Sequence, residues 1–161
     1  YCVAPETGQL EKWETEYWET VKARTTIFPE TEEVLESLSD RYEVALITNT
    51  QGQKTTGTHR ISLFPELEKF FRVIIVAGEN GIPAKPDPEP FRLCLEKLNL
   101  AAGQAVYVGD DYRIDICGAR GAGLHPVWLK HDSVRRNWPS VKNSVPVITN
   151  LKQLLELDNI Y

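Results

Sequence analysis

The stretch with the strongest influence on how this chain can fold is Ala-Val-Tyr-Val-Gly-Asp-Asp-Tyr-Arg-Ile-Asp, residues 105–115. It begins as an apolar run of good strand formers, and Gly109 allows a sharp turn where the strand ends. Asp110 and Asp111 follow at once, and Asp115 lies close behind them. In open α/β sheets, ligands bind at the carboxyl ends of the strands. The stretch therefore predicts a buried strand that delivers three carboxylates to a ligand site.

Neighbouring carboxylates repel one another unless a cation or a strong hydrogen-bond donor lies among them. Oxygen ligands of this kind suit Mg²⁺, which typically binds a few carboxylates together with water and substrate phosphate. The alternative is structural, because aspartate is also a favoured N-cap residue at the positive end of a helix. A cap explains one aspartate, whereas the whole set favours a metal site formed by Asp110, Asp111 and Asp115.

Composition limits the classes of protein and partner. A chain of 161 residues, 42% hydrophobic and 25% charged, is long enough for one domain with a real core. The net charge of −5 and the lack of a basic tract argue against nucleic acid or an acidic membrane surface as a partner. No apolar run reaches the length of a transmembrane helix or a signal peptide. Three cysteines without metal-ligand spacing indicate reduced thiols in a cytoplasmic protein.

The hydrophobic pattern alternates between strands and helices along the chain. Besides the acidic strand, it predicts strands near residues 42–47, 73–76, 126–129 and 145–149. It predicts helices over residues 10–24, 29–39, 63–71, 91–98 and 151–157, and another directly after the acidic stretch. This order predicts a mostly parallel, right-handed α/β sheet with helices on both faces. Trp13, Tyr17 and Trp18 form an aromatic stripe on the first helix, which indicates a packing surface.

Two other predicted strands are followed by polar residues. Thr48 and Asn49 come directly after strand 42–47, where a hydroxyl and an amide could hold a phosphate oxygen or could simply form a turn. Lys85 is held on a stiff loop because Pro86 and a second proline restrict the backbone there. Since parallel strands end at one edge of a sheet, we expect these loops to converge on the acidic strand end.

This ordered set of motifs resembles the haloacid dehalogenase (HAD) superfamily of hydrolases, most of which are phosphatases. Residues 46–49, Leu-Ile-Thr-Asn, are similar to the family's second motif, a strand that ends in Thr or Ser. Residues 85–88, Lys-Pro-Asp-Pro, are similar to the third motif. Residues 108–111, Val-Gly-Asp-Asp, together with Asp115, are similar to the fourth, acidic motif. The resemblance extends from about Pro29 to the C-terminus and implies a Rossmann-like, three-layer core of the HAD type.

The resemblance also implies a mechanism, namely phosphoryl transfer from a small phosphorylated metabolite through an aspartyl-phosphate. Thr48 and the Asn49 backbone N–H would hold phosphate oxygens, and Lys85 would neutralise their charge. Mg²⁺ would be held by Asp110 with help from Asp111 or Asp115, and would stabilise the transferring group.

One family motif is missing from this sequence. The family's first motif, Asp-x-Asp-x-Thr at the end of a central strand, carries the nucleophile and the acid/base, and it does not occur here. The chain also contains no methionine, not even at position 1. We therefore expect a truncated chain, with residues 1–24 as the last piece of a helical cap and residues 25–161 as a core without its first strand. That strand would lie between those ending at Thr48 and Asp110, so that another segment or a partner chain must fill the gap.

Three functions remain open at this point. The first is a Mg²⁺-dependent phosphatase of small phosphomonoesters, and the second is a metal-free 2-haloacid dehalogenase. The pair Asp110–Asp111 argues against the second, because an anionic carbon–halogen site gains nothing from two extra carboxylates. The third is a non-catalytic domain that keeps the fold for binding or regulation. Phosphorelay receiver domains are excluded because their acid pair precedes the Thr and the Lys. The chain alone is expected to be inactive.

Overall fold

The computed structural model describes residues 8–50, 60–135, 137–141 and 145–157, without the side chains of residues 14, 22 and 60. The α-helices in these ranges are α1 (Gln9–Arg24), α2 (Thr31–Ser39), α3 (Glu89–Leu98) and α4 (Cys117–Gly121). The strands are β1 (Ala45–Asn49), β2 (Val73–Ala77), β3 (Val106–Gly109), β4 (His125–Leu129) and β5 (Val147–Ile148). Short 3₁₀ helices span Arg60–Leu63, Pro65–Phe70, Ala102–Gln104 and Leu151–Glu156, and a π-helical turn spans Tyr112–Ile116. Within the described ranges, no helix combines the length and the apolar character needed to cross a membrane.

The paired strands are all parallel, as predicted. Helix α3 lies between β2 and β3, α4 lies between β3 and β4, and the described part of the connection from β1 to β2 contains 3₁₀ helices. β1 pairs with β2, and β3, β4 and β5 form a second sheet in that order. The prediction of a parallel α/β fold is confirmed. The prediction that the strands share one continuous sheet is wrong for the described part of the chain, because no described segment supplies a strand between β1 and β3.

Backbone hydrogen bonds show which side of β1 and which side of β3 has no neighbouring strand among the described residues. The carbonyl of Val44 accepts from the N–H of Arg72, so this side of β1 faces β2. Alternate residues of a parallel strand bond to opposite sides, so the backbone groups of Ile47 point away from β2. On β3 the carbonyl of Ala105 accepts from β4, which leaves the backbone of Val106 on the opposite edge. The side chain of Val106 is 46% exposed, as expected at an open edge.

Two apolar clusters form the core. The first packs α3 and α4 against β1 and β2 and includes Ile47, Ile75, Phe91, Cys94, Leu95, Ala119 and Leu124. The second lies around β4 and β5 and includes Val127, Leu129 and Ile148. A Cβ atom built on Gly118 would lie 2.9 Å from the Phe91 ring, so glycine is needed where α4 meets α3. Cys94, which lies in the first cluster, and the exposed Cys117 are both free thiols, and Cys2 lies outside the described residues.

Three predicted helices differ from the structure. The closing helix predicted over residues 151–157 is a 3₁₀ helix that spans Leu151–Glu156. The segment predicted as one helix over residues 63–71 forms two 3₁₀ pieces, because Pro65 lacks an N–H and starts a new turn. After the acidic stretch, the carbonyl of Asp111 accepts from both Asp115 and Ile116, which widens the first turn into a π-helix before α4 begins.

The aromatic stripe on α1 faces solvent in the structure. Helix α1 matches the predicted segment within one residue, but Leu10, Trp13 and Tyr17 are 60%, 51% and 57% exposed. Tyr17 contacts Trp18 edge-on, with ring centroids 5.1 Å apart. The expectation that this face packs against the rest of the chain is therefore not met by the described residues.

A buried hydrogen-bonded pair connects the segment before α2 to the loop after β4. Glu30 Oε1 accepts a hydrogen bond from His131 Nε2 at 2.8 Å, and both side chains are buried. The same oxygen accepts from the Leu151 N–H at 3.3 Å, and the Phe28 ring stacks on the imidazole at 3.5 Å between centroids. The sequence analysis found no sign of this pair, because partners 101 residues apart leave no local pattern.

Substitution of Glu30 by Gln is expected to lower the free energy of unfolding at pH 7 by about 2 kcal/mol, the value of a buried hydrogen bond to a charged group. Burial alone would raise the pKa of the Glu30 carboxyl, but the bonds from His131 and from backbone N–H groups, with the imidazole charge, outweigh it and hold the pKa below its ordinary value of 4.5. A carboxyl with a lowered pKa stabilises the fold above 4.5, and this contribution is lost as the pH falls through and below that value.

Urea unfolding followed by circular dichroism between pH 3 and pH 8 measures both effects. Glu33→Gln is the matched control, because Glu33 lies in the same region but its side chain is 65% exposed in a surface pair with Lys152. Equal effects of Glu30→Gln and Glu33→Gln on the free energy of unfolding would contradict the buried hydrogen bond between Glu30 and His131.

Candidate active site

The loop that carries Lys85 is fixed by Asn49 at the end of β1. The Asn49 side chain accepts from the Lys85 N–H at 2.9 Å and donates to the Lys85 carbonyl at 3.1 Å. The peptide bond between Lys85 and Pro86 is cis. On the far side of the loop, Asp87 Oδ1 accepts from the Glu89 N–H at 2.9 Å at the start of α3. The Asn49 side chain thus holds the lysine backbone, a role that the sequence analysis did not assign to it.

The Lys85 ammonium is buried and makes three hydrogen bonds. It donates to the Ile47 carbonyl at 3.0 Å, to the Tyr107 hydroxyl at 2.8 Å and to Asp115 Oδ1 at 2.8 Å. The side chains of Lys85 and Asp115 are only 9% and 8% exposed. A protonated lysine has three donor hydrogens, so these acceptors satisfy it completely. The ammonium also brings the end of β1 close to the acidic end of β3.

Asp115 is the acceptor that links these groups. Its Oδ1 faces Lys85 and Tyr107, while its Oδ2 accepts from the backbone N–H of Asp111 at 3.0 Å. A Cβ atom built on Gly109 would overlap the Asp115 side chain, so the strand must end in glycine for the carboxylate to lie against it. Asp115 therefore pairs with the lysine and orders the acidic turn, and one of its oxygens holds two donors.

Tyr107 belongs to the site, although the sequence analysis treated it only as a strand former. Its hydroxyl accepts from Lys85 and donates to Asp115 at 3.2 Å, and its ring packs edge-on against Phe91 at 4.9 Å. Burial, together with the charge and hydrogen bond of Asp115, raises the pKa of the Tyr107 phenol well above its usual range. The phenol therefore stays neutral and can both accept and donate. The sequence did contain a signal for this role, because the hydroxyl of a tyrosine in a buried strand needs a hydrogen-bond partner.

Asp111 and Asp110 occupy different environments. Asp111 Oδ1 accepts from the Arg113 and Ile114 N–H groups, both at 2.9 Å, so it caps the π-helical turn as the structural alternative supposed. Its other side-chain oxygen makes no hydrogen bond with a described residue. Asp110 is exposed at the strand end, and its backbone carbonyl accepts from the indole N–H of Trp128 at 3.0 Å.

The described residues offer Mg²⁺ few protein ligands. Among the residues that the structure describes, no group of three or more His, Cys, Asp or Glu side chains is placed to hold a metal ion. Mg²⁺ commonly needs only one or two carboxylates, with water and substrate phosphate as its other ligands. The carboxylates of Asp110 and Asp111 could supply such ligands, whereas Asp115 is already engaged with Lys85.

Thr48 lies beside Val76 at the carboxyl end of β1, next to the carbonyl that Lys85 contacts. It is partly buried, and its hydroxyl makes no hydrogen bond within the described part of the chain. The structure thus places Thr48, Lys85 and Asp110 at the edge where parallel strands end. The hydroxyl keeps its capacity to donate to a ligand oxygen.

Comparison with known proteins identifies the family. The family model described as haloacid dehalogenase-like hydrolase matches residues 3–129. The chain belongs to this family. Relatives include the phosphoserine phosphatase of Thermus thermophilus, 34% identical over 67% of this chain and 42% of that protein. The phosphoglycolate phosphatase of Pectobacterium atrosepticum is 31% identical over 75% of this chain and 50% of that protein. The HAD-like chain thus spans about half the length of these curated relatives.

Solved structures support the same family. A 2-haloacid dehalogenase from Pseudomonas syringae is 28% identical, with a TM-score of 0.69 over 96% of this chain and 64% of that one. A predicted phosphoglycolate phosphatase from Haemophilus somnus has a TM-score of 0.75 at 20% identity, covers 96% of this chain and 68% of that one, and shows the likeness of fold alone. The resemblance stated from sequence is confirmed: this chain belongs to the family of HAD-like hydrolases and has phosphatases among its relatives.

Proposed function

We propose that this chain is the core of a Mg²⁺-dependent phosphatase that hydrolyses small phosphomonoesters through an aspartyl-phosphate. The observation that carries the proposal is the buried Lys85–Asp115 pair at the carboxyl end of β3, directly beside the exposed Asp110. A fixed ammonium next to an exposed carboxylate offers a phosphate one positive group and offers a metal ion one oxygen ligand. The phosphatase relatives support the same reaction class.

The residues of the site would have separate roles in binding phosphate and the metal ion. Thr48 would donate its hydroxyl to a phosphate oxygen, together with the Asn49 backbone N–H. Lys85 would exchange the Ile47 carbonyl for a phosphate oxygen, because a hydrogen bond to a charged acceptor is stronger than one to a neutral acceptor. Asp110 and Asp111 would hold Mg²⁺, which supplies positive charge to the transferring phosphoryl group when bound.

The nucleophile would come from a strand that is not part of this chain. No Asp-x-Asp-x-Thr sequence occurs in residues 1–161. The open edges of β1 and β3 are the places where such a strand would pair, and its carboxyl end would then lie beside Lys85 and Asp110. The greater length of the curated relatives is consistent with an additional segment. We keep the earlier division, with residues 1–24 as the end of a cap and residues 25–161 as the core, as part of this proposal.

Substitution of Asp110 by Asn tests the metal role, in a protein that joins this chain to a segment carrying the missing motif. Hydrolysis of p-nitrophenyl phosphate is expected to fall about 10²–10³-fold, because an exposed carboxylate that holds the cation is lost. Excess chelator should abolish the activity of the unsubstituted protein. Asp87→Asn is the control, and should change the rate by less than about twofold because Asn caps a helix as well as Asp does.

Full activity in excess chelator would contradict the metal proposal. The similarity to a 2-haloacid dehalogenase makes that enzyme class the second candidate. Halide release from a 2-haloacid without metal, and no phosphate release, would establish it. Absence of both reactions in the joined protein would favour a non-catalytic HAD-type domain. A small phosphorylated metabolite as substrate, no nucleic-acid or membrane partner and a cytoplasmic location remain predictions from sequence.

A further inference from the structure

Trp128 lies on β4 directly beside the acidic strand end. In the parallel register it is the partner of Gly109, the last residue of β3. Its side chain is 1% exposed, and its indole N–H donates to the carbonyl oxygen of Asp110 at 3.0 Å. An indole N–H in the interior needs an acceptor, and here the acceptor belongs to the peptide that joins Asp110 to Asp111.

Three neighbours hold the indole in one orientation. The ring of Tyr112 contacts it at 4.8 Å between centroids, and the ring of Trp138 contacts it edge-on at 6.0 Å. The ammonium of Lys130 lies 3.8 Å from the ring centroid, a cation–π contact. Because these groups contact the indole from different elements, its N–H has a fixed direction towards Asp110.

The peptide group between Asp110 and Asp111 is held at both ends. Its carbonyl oxygen accepts from Trp128, and its N–H donates to Asp115 Oδ2 at 3.0 Å. A peptide group is planar and includes both flanking Cα atoms, so two bonds at its opposite ends hold in place the Cα atoms from which the Asp110 and Asp111 side chains extend. The side chains of Asp110 and Asp111, the two residues of the proposed metal site, extend from the backbone on either side of this one peptide.

We propose that Trp128 is a positioning residue that orients the Asp110–Asp111 peptide and thereby aims the Asp110 carboxylate into the site. This inference rests on the proposed metal role of Asp110, and it assigns to β4 a part in a site whose other members lie on β1, on β3 and on the loops that follow β2 and β3. The role depends on one N–H group and is separable from filling the core, because phenylalanine keeps an aromatic ring at the same position.

Amide hydrogen exchange in the chain tests the structural step without metal. In Trp128→Phe, the N–H groups of Asp111, Arg113 and Ile114 are expected to exchange about tenfold faster, the effect of losing one hydrogen bond. Amides of β1 and β2 should keep their rates, which separates a local loss from general destabilisation. Trp138→Phe, which makes the neighbouring ring smaller but leaves the indole of Trp128 and its bond to Asp110 in place, is the matched control. A uniform increase across both sheets, or none, would overturn the proposal.

Binding of Mn²⁺, followed by electron paramagnetic resonance, tests the functional step. Trp128→Phe is expected to weaken Mn²⁺ binding about five- to tenfold, while Trp138→Phe leaves it unchanged. Asp110→Asn should abolish specific binding. If Trp128→Phe binds Mn²⁺ as tightly as the unsubstituted chain while Asp110→Asn loses Mn²⁺ binding, the proposed role of Trp128 is overturned and the metal role of Asp110 stands. Equal binding by Asp110→Asn and the unsubstituted chain would refute the metal site, and the role of Trp128 in it.

A measurement on the unsubstituted chain covers the case in which Trp128→Phe does not fold. The indole proton of Trp128 should exchange with solvent much more slowly than that of the exposed Trp13, and its resonance should shift when Mg²⁺ is added. An indole proton of Trp128 that exchanges as fast as that of Trp13 would show that the bond to Asp110 does not persist in solution.

Discussion

The chain of residues 1–161 on its own is expected to release no phosphate from p-nitrophenyl phosphate above background, because the nucleophile is missing. Its rate of phosphate release should be at least about 10⁴-fold below that of the protein joined to a segment with the missing motif. No carboxylate of the described residues stands at the end of a strand between β1 and β3. Asp115 is bound to Lys85 and Tyr107, and Asp111 caps a turn. Asp110 would serve the metal, so none of the described acids at the site remains for covalent attack.

Addition of the missing strand is expected to restore turnover. The probe is a peptide with an apolar run that ends in Asp-x-Asp-x-Thr, and the control replaces its first Asp by Asn. Pairing would satisfy backbone groups on β1 and β3 that otherwise cost about 1–3 kcal/mol each where they are buried. Phosphate release with the first peptide and none with the control would support the proposal. Metal-dependent turnover by the chain alone, abolished by Asp110→Asn, would place the nucleophile within residues 1–161 instead.

Substitution of Lys85 by Met is expected to lower the free energy of unfolding by about 3–5 kcal/mol. Methionine fills a similar volume but leaves the Asp115 carboxylate buried without its counter-charge. The loss should be large because both side chains are more than nine-tenths buried. Urea unfolding at pH 7, followed by circular dichroism, measures the change directly.

The control for this prediction is Lys69→Met. Lys69 pairs with Glu32 at 3.3 Å, but these side chains are 61% and 58% exposed, so the change should be about 0.5 kcal/mol or less. Asp115→Asn in the Lys85→Met background should recover part of the stability, because it removes the unpaired charge. An effect of Lys85→Met as small as that of Lys69→Met would mean that the ammonium is not buried in solution.

The sequence by itself determined the order of elements and the edge at which the polar residues stand. Hydrophobic periodicity and turn residues are local signals, so they located β1, β2, β3 and β4 to within about three residues, as boundaries read from pattern usually allow. Because parallel strands end at one edge, the same pattern placed Thr48, Lys85 and Asp110 there. The family resemblance rested on these same local motifs, and the family model matches residues 3–129.

Only the tertiary structure decided how the polar groups are paired. The sequence left open whether Asp111 or Asp115 assists Asp110 at a metal ion, and in the structure Asp115 pairs with Lys85, Asp111 caps a turn and Asp110 is exposed. The partners in the bonds Lys85–Asp115, Trp128–Asp110 and Glu30–His131 are separated by 30, 18 and 101 residues. Hydrogen bonds act over about 3 Å in space, so their partners are chosen by how the sheets and loops pack, and no local pattern records that choice.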